Sequence, residues 1–158
     1  MAISNYLSMM IDSLKKKLRI LEDIDTLNME QVDILNAEDF NEDAFEENMH
    51  DKGDKIEQLE RLDSGFQSLF DKIKDELGDN KEAYKEQISE LKSYIKSITD
   101  MSSKIEVQEK RNKVLVERKF SEIRRNLKTA KRSTSMAKQY YQNMNKIETT
   151  PQFMDHKQ

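Results

Sequence analysis

The chain has 158 residues, of which 35% are hydrophobic and 37% charged, with three glycines, one proline, no cysteine and no tryptophan. That balance is too poor in apolar residues for a thick globular core and suits slender helical bundles, in which only about two or three residues in seven are buried. The lack of cysteine excludes disulfides and thiolate metal sites, and the scarcity of turn residues means few, long helices.

The net charge of −4 is unevenly divided. Residues 1–80 hold 9 Lys+Arg against 21 Asp+Glu, a balance of −12, whereas residues 81–158 hold 18 against 10, a balance of +8. Charge blocks of this kind pair within the molecule or meet a partner of opposite sign. The most continuous apolar stretch is Val114-Leu115-Val116, so no stable membrane insertion is expected. The first residues, Met1 to Tyr6, show neither a basic region nor an apolar secretory core, and a cytoplasmic location is expected.

A first helix is expected from Ser4, a suitable N-cap, to about Leu35. Its apolar stripe is Leu7, Met10, Ile11, Leu14, Leu18, Leu21, Ile24, Leu27 and Val32. The stripe is interrupted from Asn36 to Asn41, and Asp39 with Glu42 three residues later reads as a capping box opening a second helix. There the stripe is Phe45, Met49, Ile56, Leu59, Leu62, Phe66, Phe70, Ile73 and Leu77. Gly53 and Gly65 lie inside it, each costing ~1 kcal/mol relative to alanine. The polar stretch His50 to Lys55 is the expected place for a bend or break. Gly78 stands where a helix C-terminus favours positive φ, and Asp79 with Glu82 is expected to cap the third helix. A connection this short makes helices two and three antiparallel neighbours.

The third helix is the longest. From Lys81 to about Ile147 an apolar seam recurs in steps of three and four, with neither glycine nor proline: Tyr84, Ile88, Leu91, Ile95, Ile98, Ile105, Val116, Ile123, Ala130, Ala137, Tyr140, Met144 and Ile147. The expected fold is all-α: an elongated antiparallel three-helix bundle or coiled coil with a very long, overhanging C-terminal helix. Residues 1–112 would form the bundle core, 113–148 a distal helical segment, and 149–158, after the break at Pro151, a disordered tail. The seam is rich in Ile and Leu up to Ile105, then admits Glu109 and Asn112, and later Lys119, Asn126 and Ser133. Glu109 and Asn112 are expected to fix helix register or to mark where the third helix leaves the bundle. The distal segment is expected to be marginal alone and ordered by what it binds.

No arrangement of residues points to catalysis, a cofactor or a metal. His50 and His156 are far apart and outside every apolar seam, and the abundant acid pairs lie on helices whose opposite face packs. A carboxylate pair acting as acid and base needs a cleft that a slender bundle lacks. Between Lys110 and Lys138 stand eleven basic residues and two acidic ones, Glu117 and Glu122. The run has no glycine-rich loop, helix-turn-helix plan or stacking aromatics, and the acidic half argues against a nucleic-acid partner.

Three phrases carry a resemblance: Asn41-Glu42-Asp43-Ala44-Phe45, Leu62-Asp63-Ser64-Gly65-Phe66-Gln67-Ser68-Leu69-Phe70, and Ile105-Glu106-Val107-Gln108-Glu109-Lys110-Arg111-Asn112-Lys113. With the closing Ala137-Lys138-Gln139-Tyr140-Tyr141, they make the chain resemble the FlgN-like flagellar export chaperones. The FliT-like chaperones of the filament cap share a similar helical plan and stay open as an alternative, as does a structural coiled-coil oligomerisation module. The resemblance implies a cytoplasmic chaperone of flagellar type III export. It would hold the helical termini of hook-associated junction proteins unpolymerised and deliver them to the export gate. Carried onto this sequence, the client-binding face would be Val116, Phe120, Ile123, Leu127, Ala130, Met136, Ala137, Tyr140 and Met144. Tyr140 or Tyr141 would dock on the gate. Self-association into a homodimer is left open, and the segment Pro151 to Asp155 has no role in this plan.

Overall fold

The computed structural model describes the backbone of residues 3–149, and the side chains of residues 3–128 together with Lys138 and Gln142. Its elements are α1 (Ile3–Asn36), α2 (Glu42–Asp79), a single 3-10 turn (Lys81–Tyr84) and α3 (Lys85–Thr149). The three helices pack against one another, and α3, with 65 residues, is much the longest. The chain divides into two compact units, Met1–Leu115 and Val116–Gln158, and α3 contributes to both.

In the first unit, α1 supplies most of the core. Ile3, Leu7, Met10, Ile11, Leu14 and Leu21 recur at three- and four-residue steps and bury against Ile73 of α2 and Leu91 and Ile98 of α3. Each such side chain contributes ~1.5–3 kcal/mol by leaving water. Polar contacts along the seams give the helix directions. Lys17 reaches Asp63 at 2.7 Å and Lys55 reaches Asp23 at 3.1 Å, so α1 and α2 run antiparallel. Gln87 donates to the Ser4 carbonyl, Lys104 to Asp25 and Asn112 to the Asn28 carbonyl, at sequence separations of 83, 79 and 84. This near-constant offset makes α3 parallel to α1. The topology is up-down-up, as the short second connection dictates.

The second helix begins two residues later than the expected Asp39 capping box. Asn41 is the N-cap, its Oδ1 accepting from the Ala44 N–H at 3.0 Å. Phe40, just before the cap, packs on Phe45 with ring centroids 5.8 Å apart. Cap and ring pair together form a hydrophobic staple, which fixes the chain's entry angle and outweighs an Asp39–Glu42 box. Glu42 and Asp43 in the first turn favour the positive end of the helix dipole. Replacing Asn41 with alanine is expected to cost about 1 kcal/mol in a denaturant melt, the usual loss for a cap.

At the other end of α2, the expected glycine cap is not used. Gly78 lies within the helix and does not adopt a left-handed φ. Asn80 closes the helix instead: its N–H bonds the Leu77 carbonyl at 3.1 Å and its side-chain amide the Glu76 carbonyl at 2.9 Å. With these carbonyls satisfied, no left-handed residue is needed. Asp79 ends α2 rather than capping the next helix; Asn80 begins the 3-10 turn, its carbonyl accepting from Ala83 at 3.1 Å.

The helix also runs unbroken through Gly53, so of the bend or break expected there the break does not occur. A Cβ added there would meet nothing within 4 Å. Gly53→Ala should therefore raise stability by about 0.5–1 kcal/mol, read as a higher denaturation midpoint at unchanged slope. Part of the expected stripe of α2 faces solvent, since Met49 and Ile56 are 47% and 46% exposed. Ile95 of α3, placed on its seam, is likewise 47% exposed. On α2 the inward positions beside Phe45 belong to Asn48 and Lys52, residues that no apolar pattern would select.

Candidate functional site

Two features stand out, one in each unit. In the first unit the apolar stripes continue into polar residues without leaving the interior. On α1, Ile24 is followed at the same face by Asn28, Gln31 and Leu35; on α3, Ile98 and Ile105 give way to Gln108 and Asn112. Asn28, Gln31 and Asn112 are 0%, 2% and 1% exposed. Gln31 connects all three helices. Its Nε2 donates to Asn48 Oδ1 at 3.0 Å and to the Met49 sulfur at 3.1 Å, and its Oε1 accepts from Asn112 Nδ2 at 3.1 Å. Asn48 in turn donates to the Leu27 carbonyl at 2.9 Å.

One turn earlier, Asn28 Nδ2 donates to Gln108 Oε1 at 3.0 Å, and Gln108 donates to Asp25, which also holds Lys104. The buried ammonium of Lys52 meets Glu109 at 2.7 Å. Among the described side chains only Asn28 Oδ1 is buried with no hydrogen-bond partner. A layer of this kind has one favourable alignment. Sliding α3 by one heptad would put Met101 and Ile105 where Gln108 and Asn112 stand. Asn28 and Gln31 would then lose their partners, at ~1–3 kcal/mol for each group left unsatisfied. Asn112 thus belongs to a buried set of six with Asn28, Gln31, Asn48, Lys52 and Gln108, while the half-exposed Glu109 meets it from the edge through Lys52, an arrangement that suits the register role expected of the pair. Of this buried set only Asn112 stood out in the sequence; Asn28, Gln31, Asn48, Lys52 and Gln108 stand outside the apolar stripes read on their helices.

The second feature is the distal part of α3. Val116, Phe120, Ile123 and Leu127 are separated by four, three and four residues and share one helix face. Val116, Phe120 and Ile123 are half-buried, and Leu127 is 58% exposed. Lys119 lies 3.9 Å from Glu122 on the same helix. The side chains of Ala130, Met136, Ala137, Tyr140, Tyr141 and Met144 lie outside the described residues; their backbone belongs to α3.

Among the described residues no three His, Cys, Asp or Glu side chains gather so as to hold a metal ion. His50 is exposed, 3.4 Å from Asp54, and His156 is outside the described residues. No helix is long and apolar enough to cross a membrane. Fold and site define an all-helical bundle protein with a buried polar layer and a partly exposed apolar face on its last helix. Comparison with protein families, curated proteins and solved structures gives no match.

Proposed function

We propose that this chain is a cytoplasmic chaperone of flagellar type III export that binds the helical termini of hook-associated junction proteins through distal α3. The observation that supports this reading is the face Val116, Phe120, Ile123 and Leu127, which puts large apolar side chains on one side of a continuous helix with Leu127 open to solvent. An amphipathic client helix laid on such a face would have its own apolar side masked by the contacts that bind it. At ~1.5–3 kcal/mol for each large side chain buried, four or five anchors offset the ordering cost and leave useful affinity. In this reading Ala130, Met136, Ala137, Tyr140 and Met144 continue the face, and Tyr140 or Tyr141 docks on the export gate.

The test is a pulldown with the purified chain from the lysate of a flagellated bacterium, read by mass spectrometry, beside a chain ending at Asn112. Recovery of a hook-associated protein by the full chain and its loss on truncation is the expected result. Recovery of the filament cap protein would transfer the assignment to the FliT-like chaperones. Recovery of only a second copy, or of nucleic acid, would refute the chaperone reading.

A further inference from the structure

On the side of the first unit where α1 meets α2, three adjoining depressions form one groove lined by these two helices alone. Neighbouring depressions share Lys16, Arg61 and Leu62 at one junction and Asp23, Lys55 and Gln58 at the other. From Met9 to Leu27 the groove follows α1 for ~27 Å at 1.5 Å per residue. Apolar groups line its floor: Ile20 is 9% exposed, and Leu62 and Leu69 are half-buried. Gly65 also lines it, and a Cβ built there would meet nothing within 4 Å. Its φ is not left-handed, so neither backbone nor packing of this fold requires glycine in mid-helix, where it lowers stability. What glycine does provide is room for another backbone to come close.

Of the nine basic residues among 1–80, Lys17, Lys52, Lys55 and Lys74 are ion-paired and Lys15 lies over the Tyr94 ring, while Lys72, off the groove, makes no ion pair among the described residues. Lys16, Arg19 and Arg61, all on the groove, have no ion pair or side-chain hydrogen bond among the described residues. Three unpaired cations beside an apolar floor, in a half that holds 21 acidic residues, match a ligand bearing both apolar and anionic groups. Asp12 also lines this part, and beyond Lys55 the groove turns acidic at Asp51 and Asp54.

We propose that the α1/α2 groove docks an acidic amphipathic helix of a partner protein, which adds a fourth helix to the bundle. The partner's apolar stripe lies on Ile20, Leu62 and Leu69, its backbone comes closest at Gly65, and its carboxylates meet Lys16, Arg19 and Arg61. Its segment over Asp51 and Asp54 is neutral or basic, which fixes its direction. No residue of the groove belongs to the distal face of α3, so the two surfaces can be tested separately.

The test pans the full chain against displayed amphipathic helices of ~18 residues, matching the groove length. Their leucine stripe is fixed and the flanking positions are randomised between Glu and Lys. Wild type is expected to enrich Glu over Lys on the order of tenfold at one end of the helix, a range that a few rim charge pairs supply. Lys16→Gln with Arg19→Gln and Arg61→Gln should remove that preference. Gly65→Leu, which fills space left open in the free fold, should abolish enrichment without lowering the melting temperature. No enrichment by wild type, or equal Glu enrichment by either variant, would overturn the proposal. Sedimentation equilibrium showing a dimer that Gly65→Leu dissociates would also overturn it, by giving the groove to a second copy.

Discussion

Gln31→Leu is expected to lower the unfolding free energy by about 2–4 kcal/mol, although it exchanges a polar side chain for an apolar one in a buried place. Gln31 is the hub of the polar layer, and its loss leaves Asn48 Oδ1 without its donor and removes one of the two acceptors of Asn112 Nδ2. Those groups cannot turn to water, because Asn48 and Asn112 are 4% and 1% exposed. Urea denaturation should show a lower midpoint at unchanged slope. Replacing Gln31, Asn48 and Asn112 together by leucine should recover much of the loss, since a buried set removed whole leaves few groups unsatisfied. The three effects are therefore strongly non-additive. A fall in stability that simply accumulates over the three replacements would contradict the hub role.

Ile123→Asp with Leu127→Asp carries the largest functional effect. Both residues lie in the second unit, on the face proposed to hold the client. Losing two apolar anchors worth ~1.5–3 kcal/mol each weakens binding by at least about a hundredfold, before the cost of desolvating two carboxylates is counted. The melting of the first unit should not change, because none of its buried core or its polar layer includes either residue. Titration of wild type and variant with a purified junction protein, alongside thermal melts of both, separates the two effects. Binding that survives the double change would mean the client sits elsewhere.

Much of the fold was legible because it rests on apolar spacing and on scarce turn residues. The stripe from Leu7 to Ile24 matches the buried face of α1, and the interruption after Asn36 marks its end. Helix ends were less legible, because several polar residues compete for each cap. Asn41 prevails over Asp39 through the Phe40–Phe45 ring contact, which joins residues on both sides of the cap. Gly78 looked like a C-cap until Asn80 supplied the closing hydrogen bonds. The polar layer was least legible. A search for apolar residues selects Leu27, Val32, Met49 and Ile56, whereas Asn28, Gln31, Asn48 and Lys52 occupy the interior. Each amide is tolerable there only because of a partner on another helix, and partners 80 residues apart leave no local trace. The groove charges were invisible for a similar reason: Lys16 and Lys17 are neighbours in sequence, yet of the two it is Lys17 that makes an ion pair among the described residues.

The most direct measurement on the proposed chaperone role is amide hydrogen exchange of the full chain, alone and with a purified hook-associated junction protein. Residues 1–112 should exchange at the same rate in both states, while amides from Val116 through the distal part of α3 slow markedly when the client is bound. Unchanged exchange along distal α3 in a formed complex, or slowing confined to α1 and α2, would contradict the assignment of that face.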